Sequence, residues 1–311
     1  MDCCEKKNQK IAVIGAGNVG ATVAYTLALS GLVPELAVVD IDRDKAQGHV
    51  LDIQHGLSLV PSCSIVSGDY DVCAGADVVV ITAGANRKPG QSRLDLAQIN
   101  TGIFRDMIPK IAAIAPNAVL VVVSNPVDVL TFSTIGFSGF PASRVIGTGT
   151  MLDTVRVQSI LAKQAQVRAA DVDAFVLGEH GDTALVPWSL CKISGMSLKD
   201  YLNSPATDSI LDDVREAGQS VIKLKGATYF AIALVVRQLC EAIIRDTRAV
   251  LTVSSLVQGV PGIENVSLSL PSVVGKNGIE RVLPVVITDE EKAQLVRSAN
   301  ALKETIASVG L

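Results

Sequence analysis

Short apolar runs alternate with helical patterns from Lys10 to about Gly147. The runs typical of buried strands are "KIAVIG", "ELAVVD", "CSIVSG", "ADVVVITAG", "NAVLVVVSNP" and "RVIG". Two stretches have helical spacing: "NVGATVAYTLALSG" separates the first run from the second, and "RDKAQGHVLDIQHG" separates the second from the third. Continuous apolar strands that alternate with helices predict a parallel sheet covered on both faces, a doubly wound α/β fold.

A long helix is predicted from residue 93 to residue 116. Six apolar side chains fall on one face at helical spacing: Leu96, Ile99, Ile103, Met107, Ile111 and Ile114. Pro109 lacks a backbone donor and is therefore a predicted kink.

The pattern changes after Gly147, where an α+β half begins. A helix is predicted over residues 150–163, and "AFVLG" is predicted as a strand that leads into the turn "EHGD". The stretch "VSLSLPSVVGKNGIERVLPVVI" predicts antiparallel strands around the turn at Asn277 and Gly278.

The last helix has a capping-box start, with Thr288 as the cap and Glu291 three residues later. Its apolar stripe is formed by Leu295, Ala299, Leu302 and Ile306. Since the chain has no internal repeat and no low-complexity linker, we expect its two halves to pack closely. The predicted organisation is a tail at 1–9, a Rossmann domain at 10–147 and an α+β substrate domain with antiparallel strands at 148–311.

Composition excludes several classes of function. The 311 residues carry a net charge of -4, and the basic residues form no long run, so a nucleic-acid partner is not expected. The apolar runs are far shorter than the ~20 residues that span a bilayer, and the polar start "MDCCEKKNQK" has no signal core, which predicts a cytoplasmic protein without membrane contact. Six scattered cysteines without metal-ligand spacing predict free thiols and no metal site.

"GAGNVG" follows the first strand and opens the first helix. The G-x-G-x-x-G pattern is weak alone, because glycines recur in many tight turns, but this position is the one that a dinucleotide site requires. Gly15 permits the turn, Gly17 lets the backbone approach a pyrophosphate and Gly20 lets helix and strand pack closely. Asp40 ends the second strand, where a carboxylate can accept hydrogen bonds from a ribose and would repel a 2'-phosphate. NAD is therefore the predicted cofactor, in preference to NADP.

Three residues of the second half suggest chemistry. Asp153 and Arg156 share one helical face, and His180 follows a predicted strand. Taken singly they are usually a surface ion pair and a structural histidine. Beside a hydride-carrying cofactor, however, an imidazole can move the hydroxyl proton, a carboxylate can orient the ring, and a guanidinium can hold a substrate carboxylate.

The sequence resembles the NAD-dependent L-lactate and malate dehydrogenases. The resemblance runs from Lys10 to the C-terminus through "GAGNVG", "TAGANRKPGQSR", "VVSNPVDVLT", "GTGTMLDTVR", "GEHGDT" and "KGATYFAIA". It implies that His180 exchanges the proton, Asp153 is its partner, Arg156 binds the substrate carboxylate and Arg93 polarises the carbonyl. Asn125, before a cis bond to Pro126, would contact substrate and cofactor, and Thr228 would line the pocket floor. The implied cofactor contacts are Gly15, Gly17, Asn18, Val19, Gly20, Asp40, Thr82, Ala83, Gly84 and Asn125.

By the same resemblance, residues 84–95 form a mobile lid. Arg93 would arrive on closure, when water is expelled and its charge acts most strongly. Arg87 occupies the lid position that selects the substrate's variable group, where lactate enzymes typically carry Gln and malate enzymes Arg. "KGAT" with Thr228 and "LDTVR" instead look like the bacterial lactate branch. We therefore expect a lactate-type scaffold shifted toward oxaloacetate and malate, with ordinary pyruvate and lactate chemistry as the alternative.

Regulation and assembly are the remaining expectations. Family members activated by fructose 1,6-bisphosphate use an Arg and a His where this chain has Gln158 and Asp173, so that sugar is not expected to bind. The family usually forms homotetramers and sometimes dimers. A non-catalytic NAD-sensing protein is a further alternative from a different class; an assay of NADH with a ketoacid distinguishes it from an enzyme.

Overall fold

The computed structural model describes residues 9–86, 90–202 and 209–311. Twelve strands and nine α-helices lie in these ranges. The strands are β1 Lys10–Ile14, β2 Glu35–Val39, β3 Ser64–Gly68, β4 Val78–Ile81, β5 Val119–Val122, β6 Val145–Gly147, β7 Val172–Asp173, β8 Lys192–Ile193, β9 Met196–Ser197, β10 Ala249–Val257, β11 Val266–Gly275 and β12 Gly278–Val282. The helices are α1 Asn18–Ser30, α2 Arg43–Gly56, α3 Arg93–Ile114, α4 Val127–Ser138, α5 Met151–Ala165, α6 Leu198–Leu202, α7 Ser209–Lys225, α8 Phe230–Ile244 and α9 Asp289–Ser308.

The predicted parallel sheet is present and forms part of a larger one. Strands β3, β2, β1, β4, β5 and β6 lie side by side in parallel, in that order. The antiparallel strands β10, β11 and β12 continue the sheet beyond β6, through one pair of residues, Ser254 and Gly147. The order around β1 is that of a Rossmann fold, in which ligands bind at the carboxyl ends of the strands.

Both faces of the parallel sheet are buried along β1, β2, β4, β5 and β6, as their continuous apolar sequences predicted, whereas the edge strand β3 leaves Val66 exposed. Along β1, Ile11 and Val13 pack with the α1 and α8 side chains, whereas Ala12 and Ile14 pack with α3 and α4. The alternation follows from strand geometry, since successive side chains point to opposite faces. The result is a rigid sheet whose strand ends can position side chains.

The buried face of α3 differs from the predicted one. The helix runs through Pro109 without ending there, but Ile99 and Ile103 are exposed, and the buried arc includes Ala97, Phe104 and Ile108. With 3.6 residues per turn, this arc is rotated by roughly a quarter turn from the apolar stripe in the sequence. Contact with β4, β5 and α4 determines which face of the helix is buried.

The second half confirms the predicted hairpin and final helix and corrects one strand. Strands β11 and β12 pair antiparallel, with Gly275 opposite Gly278, and α9 begins with the Thr288 and Glu291 capping box. The stretch "AFVLG" at 174–178 is not a strand. It makes only isolated bridges, Leu177 with Leu185 and Gly178 with Ser269. This backbone is shaped by the turn that carries His180. Among the described helices, none is long and apolar enough to cross a membrane.

Candidate active site

The glycine turn after β1 has the geometry that a dinucleotide requires. Gly15 has a φ of 101°, a conformation that favours glycine, and a Cβ on Gly20 would lie 1.8 Å from the Gly15 carbonyl oxygen. A Cβ on Gly17 would meet nothing within 4 Å, so the backbone beside the α1 N-terminus is open to a ligand. Close packing on one side and open space on the other fit a bound pyrophosphate.

Asp40 closes the second strand beside this turn. Its Oδ2 accepts a hydrogen bond from the Ala16 backbone N–H, and its Oδ1 accepts one from the Asp42 N–H at 2.9 Å. The carboxylate is half-buried and fixed at the edge of the glycine turn. Because each oxygen retains further acceptor capacity, this position fits a ribose hydroxyl pair and disfavours a 2'-phosphate.

The end of β4 is tied to the same turn. The Thr82 hydroxyl donates to the Ile14 or Gly15 carbonyl oxygen, each at 3.1 Å, and the Ser124 hydroxyl donates to the Ala83 carbonyl at 2.7 Å. The Thr82 side chain is therefore part of the support of the glycine turn. Gly84 follows at a bend, at the start of the predicted lid.

Asn100 is a buried polar residue that the sequence analysis did not single out. From α3, its Oδ1 accepts from the Ala85 N–H at 2.7 Å, while its Nδ2 donates to the Ala85 carbonyl at 3.2 Å and to the Asn125 carbonyl at 2.7 Å. The peptide bond between Asn125 and Pro126 is cis, as predicted. Asn100 therefore holds the Asn125 backbone and the start of the lid in one arrangement. Its only signal in the sequence was a polar residue within an apolar helix face.

His180, Asp153 and Arg156 come together at the start of α5. His180 Nδ1 lies 2.6 Å from Asp153 Oδ2, and Arg156 donates to Asp153 Oδ1 at 3.2 Å. The Asp153 side chain is 12% exposed, compared with 21% for Arg156 and 27% for His180. The helix spacing of Asp153 and Arg156 and the turn after β7 thus place one carboxylate between two cationic partners.

Electrostatics in this cluster favour the protonated imidazole. The charge of Asp153, against the opposing effect of burial, raises the pKa of His180 to about 9; a hydrogen bond from the ring and the charge of Asp128 act in the same direction. For Asp153, burial raises the pKa, but the attraction of His180 and Arg156 outweighs it and leaves the pKa below its usual value. The pair is therefore an imidazolium and a carboxylate near neutral pH.

The turn that carries His180 is anchored from α9. Ser298 accepts a hydrogen bond from the Glu179 N–H at 2.8 Å, and the Thr183 hydroxyl lies 3.1 Å from the Ser298 hydroxyl. Gly178, with a φ of 87°, allows the backbone to approach Ser298, because a Cβ there would lie 2.6 Å from its Oγ. These anchors replace the strand that the sequence pattern had predicted at this point.

Arg93 reaches this turn from the other side. It begins α3, and its Nη2 lies 2.8 Å from Asp182 Oδ1, two residues after His180; both side chains are exposed. Arg215 of α7 donates to the Asp182 carbonyl at 2.8 Å, and α7 also approaches Arg156, because a Cβ on Gly218 would lie 3.3 Å from its Nη1. The beginning of α3, the His180 turn and α7 thus meet around the cluster.

Two further predicted substrate residues remain. Thr228 is half-buried in the short connection between α7 and α8. Arg87 lies outside the described residues, so its predicted role rests on the sequence alone.

Gln158 and Asp173, the two positions predicted to exclude fructose 1,6-bisphosphate, line a surface groove of about 610 Å³. No described residue that lines this groove is a cation.

A dinucleotide turn at the end of one strand, with an imidazole, a carboxylate and a guanidinium gathered on the adjoining half, is the arrangement of an NAD-dependent oxidoreductase that acts on a CH–OH group. The family comparisons agree with it. Residues 9–147 match the model described as "lactate/malate dehydrogenase, NAD binding domain", and residues 150–310 match "lactate/malate dehydrogenase, alpha/beta C-terminal domain". The chain belongs to the lactate/malate dehydrogenase family, and NAD is its cofactor.

Individual relatives cover nearly the whole chain. It is 45% identical to "L-lactate dehydrogenase 1" of Clostridium acetobutylicum, over 98% of this chain and 99% of the relative. It is also 45% identical to an L-lactate dehydrogenase of Acetivibrio thermocellus, over 97% and 98% of the two chains. Its fold matches a crystal structure of the minor L-lactate dehydrogenase of Enterococcus mundtii in a ligand-bound form, with a TM-score of 0.94, 37% identity and coverage of 98% and 100%.

Proposed function

We propose that this enzyme reversibly reduces a small 2-ketoacid to its L-2-hydroxyacid, with His180 as the proton donor and acceptor. The observation that carries this proposal is the 2.6 Å contact between His180 Nδ1 and Asp153 Oδ2. Because Asp153 occupies Nδ1, Nε2 is the ring nitrogen that can face a substrate oxygen. Bound NADH supplies the hydride.

The charges support proton donation in the direction of ketoacid reduction. A pKa of about 9 keeps the His180 ring protonated at neutral pH, so the proton is in place before the substrate arrives. In the reverse direction, the ring must first lose that proton to accept one from the hydroxyl. The same residue therefore serves both directions with opposite pH dependence.

Arg156 is proposed to hold the substrate carboxylate. Its guanidinium uses one nitrogen on Asp153 and retains donors in the fixed geometry that suits a carboxylate. Held in this way, the ketoacid presents its carbonyl to His180. Arg93, which contacts the His180 turn through Asp182, is proposed to polarise the carbonyl when the lid over 84–95 closes.

Arg87 is proposed to shift the preference from pyruvate toward oxaloacetate. A cation enclosed against a methyl group would be dehydrated and unpaired, at a cost of about 2–5 kcal/mol, whereas a second substrate carboxylate would pair with it. The relatives of Clostridium acetobutylicum and Acetivibrio thermocellus are L-lactate dehydrogenases, which favours the second candidate, an enzyme that prefers pyruvate and lactate.

Steady-state kinetics with both ketoacids test these candidates. We expect kcat/KM for oxaloacetate to exceed that for pyruvate in the natural chain, and the ratio to reverse in Arg87→Gln. Lys88→Gln removes a neighbouring lid charge and is the matched control, with the ratio unchanged. A large pyruvate preference in the natural chain would reject the role of Arg87 and leave the ketoacid reductase in place.

The remaining proposals concern organisation and regulation. NAD binding is assigned to residues 10–147 and substrate chemistry to residues 148–311, in a cytoplasmic homotetramer or dimer. The predicted tail at 1–9 lies, except for Gln9, outside the described residues. Light scattering on the purified chain gives the number of subunits.

Fructose 1,6-bisphosphate is proposed not to bind. The Gln158 amide donates to the Ala174 carbonyl at 3.0 Å, and Asp173 is exposed, so the groove that they line offers an anion rather than cations to a bisphosphate.

A further inference from the structure

Asp128 is a buried carboxylate that the proposed chemistry does not use. It lies in the first turn of α4, three residues after Asn125, and it is 2% exposed. Ionised carboxylates are seldom buried to this degree without a cationic partner or a full set of hydrogen bonds. Its environment therefore requires an explanation.

One oxygen of Asp128 holds the main chain of His180. Oδ2 accepts a hydrogen bond from the His180 backbone N–H at 2.8 Å. Because Asp153 binds the ring of the same residue, two buried carboxylates hold His180, one at the backbone and one at Nδ1. They come from different helices, α4 and α5, on either side of the His180 turn.

The other oxygen has no hydrogen bond. Oδ1 is buried without a partner, and so is the hydroxyl of Ser254 on β10, within the part of the chain that the structure describes. Burial is the main cause that raises the pKa of Asp128 to about 6, and Glu179 adds to it, while the Ser254 hydroxyl and His180 act against it. At pH 7 the group is mostly ionised despite its burial.

Asparagine could fill this site as well as aspartate. Its carbonyl oxygen could accept from the His180 N–H and its amide could donate to Ser254, just as the Ser254 hydroxyl can donate to the carboxylate. Packing and hydrogen bonding alone therefore do not account for the carboxylate. Unlike asparagine, aspartate places a negative charge next to the His180 backbone.

We propose that Asp128 is a positioning residue that fixes the His180 backbone and supplies a second negative charge that favours the protonated imidazole. The inference rests on the proposed role of His180 as the proton donor. The charged groups that act on His180 are Asp153 and Asp128, which favour the imidazolium, and Arg156, which opposes it. Those that act on Asp128 are His180 and Glu179.

NMR on the full chain with 15N-labelled histidine monitors the titration of the His180 ring and so measures the effect of the Asp128 charge on it. His49, His55 and His180 are the only histidines in the sequence, and His180→Gln identifies the signal of interest. In Asp128→Asn we expect the His180 midpoint to fall by about 0.5–1 pH unit, because one nearby charge is lost while the backbone acceptor remains. The rate of ketoacid reduction at pH 9 should fall about two- to six-fold, with little change in KM.

Asp171→Asn is the matched control. It makes the same substitution in a partly exposed residue that pairs with Arg168, and the His180 midpoint should not change. A folded Asp128→Asn variant with the midpoint of the natural chain would overturn the proposal. So would an equal shift in Asp171→Asn, which would mean that overall charge and not Asp128 is the cause.

Ser254→Ala tests the proposal even if Asp128→Asn does not fold. It removes the hydroxyl that favours the ionised carboxyl and leaves the bond to His180 in place. We expect the Asp128 carboxyl, followed by 13C NMR, to titrate above its natural midpoint, and the His180 signal to respond over the same pH range. A shifted carboxyl titration without any response of His180 would overturn the charge coupling.

The proposed function and the role of Asp128 can be rejected separately. If the natural chain reduces neither pyruvate nor oxaloacetate, the proposed function is wrong, whatever the NMR titrations show. If it reduces either ketoacid but the His180 midpoint is unchanged in Asp128→Asn, only the proposed role of Asp128 is wrong.

Discussion

Asp153 lies between His180 and Arg156, with one carboxylate oxygen 2.6 Å from the imidazole and the other 3.2 Å from the guanidinium. One buried anion therefore orients both the group proposed to move the proton and the group proposed to hold the substrate. Its two contacts are on separate oxygens, so neither partner displaces the other. Substitution of Asp153 or Arg156 tests these contacts.

Asp153→Asn should lower kcat/KM for ketoacid reduction by roughly 10²–10⁴-fold, because the ring loses both its orientation and its charge partner. The pH profile should change in a defined direction. In the natural enzyme, reduction needs the imidazolium and should fall as pH rises through about 9, while hydroxyacid oxidation should rise over the same range. In the variant both midpoints should move to lower pH. Unchanged midpoints would contradict the electrostatic role of Asp153.

Arg156→Lys keeps the charge and loses the planar pair of donors. We expect kcat/KM for the ketoacid to fall by about 30-fold to several-thousand-fold, which corresponds to about 2–5 kcal/mol. NADH affinity, measured by fluorescence titration, should stay unchanged, since the predicted dinucleotide site is at the glycine turn that follows β1. Arg168→Lys, on an exposed ion pair, is the control. A loss confined to NADH binding would contradict the assignment.

Fructose 1,6-bisphosphate should not activate the natural enzyme. The groove that contains Gln158 and Asp173 has no cation among its described residues, and Asp173 repels a phosphate. The double substitution Gln158→Arg and Asp173→His restores the two cations expected of activated family members and should introduce activation. The measurement is the ketoacid saturation curve with and without millimolar effector. A shift of that curve in the natural chain would show the prediction to be wrong.

The fold was predictable from the sequence where apolar periodicity and local capping chemistry agree. The strands β1 to β6, the hairpin at Gly278 and the start of α9 at Thr288 all follow from such patterns. The face of α3 was not predictable in this way, because Ile99 and Ile103 extend the apolar stripe but the neighbouring strands cover a different arc. Tertiary packing decides between two faces that are both apolar.

The sequence analysis found the residues proposed to act on the substrate but missed the residues that hold the nearby backbone in place. His180, Asp153 and Arg156 became candidates only beside a predicted cofactor, the family resemblance implied their roles, and the structure brings the three side chains together. Asp128 and Asn100 were missed, although both act on this region through backbone groups. A hydrogen bond to a backbone N–H or carbonyl leaves no periodic signal in the sequence, and the partners here are 52 and 25 residues apart.

The elevated pKa of His180 should also appear in the stability of the fold. A histidine with a folded-state pKa of about 9 and an unfolded value near 6.5 contributes stability that is fully present below pH 6.5 and lost as pH rises through 9. The free energy of unfolding in urea should therefore fall by about 3 kcal/mol between those pH values. The fall should be absent in His180→Gln. An equal decrease in both proteins would assign it to other groups.

Single-turnover oxidation of NADH, monitored by absorbance after mixing with each ketoacid, is the decisive test of the proton-transfer role of His180. We expect rapid oxidation by the natural chain with at least one of pyruvate and oxaloacetate, and a rate lower by at least about 10²-fold in His180→Gln, with NADH binding retained. Equal rates in the two proteins would contradict the claim that the imidazole beside Asp153 moves the proton.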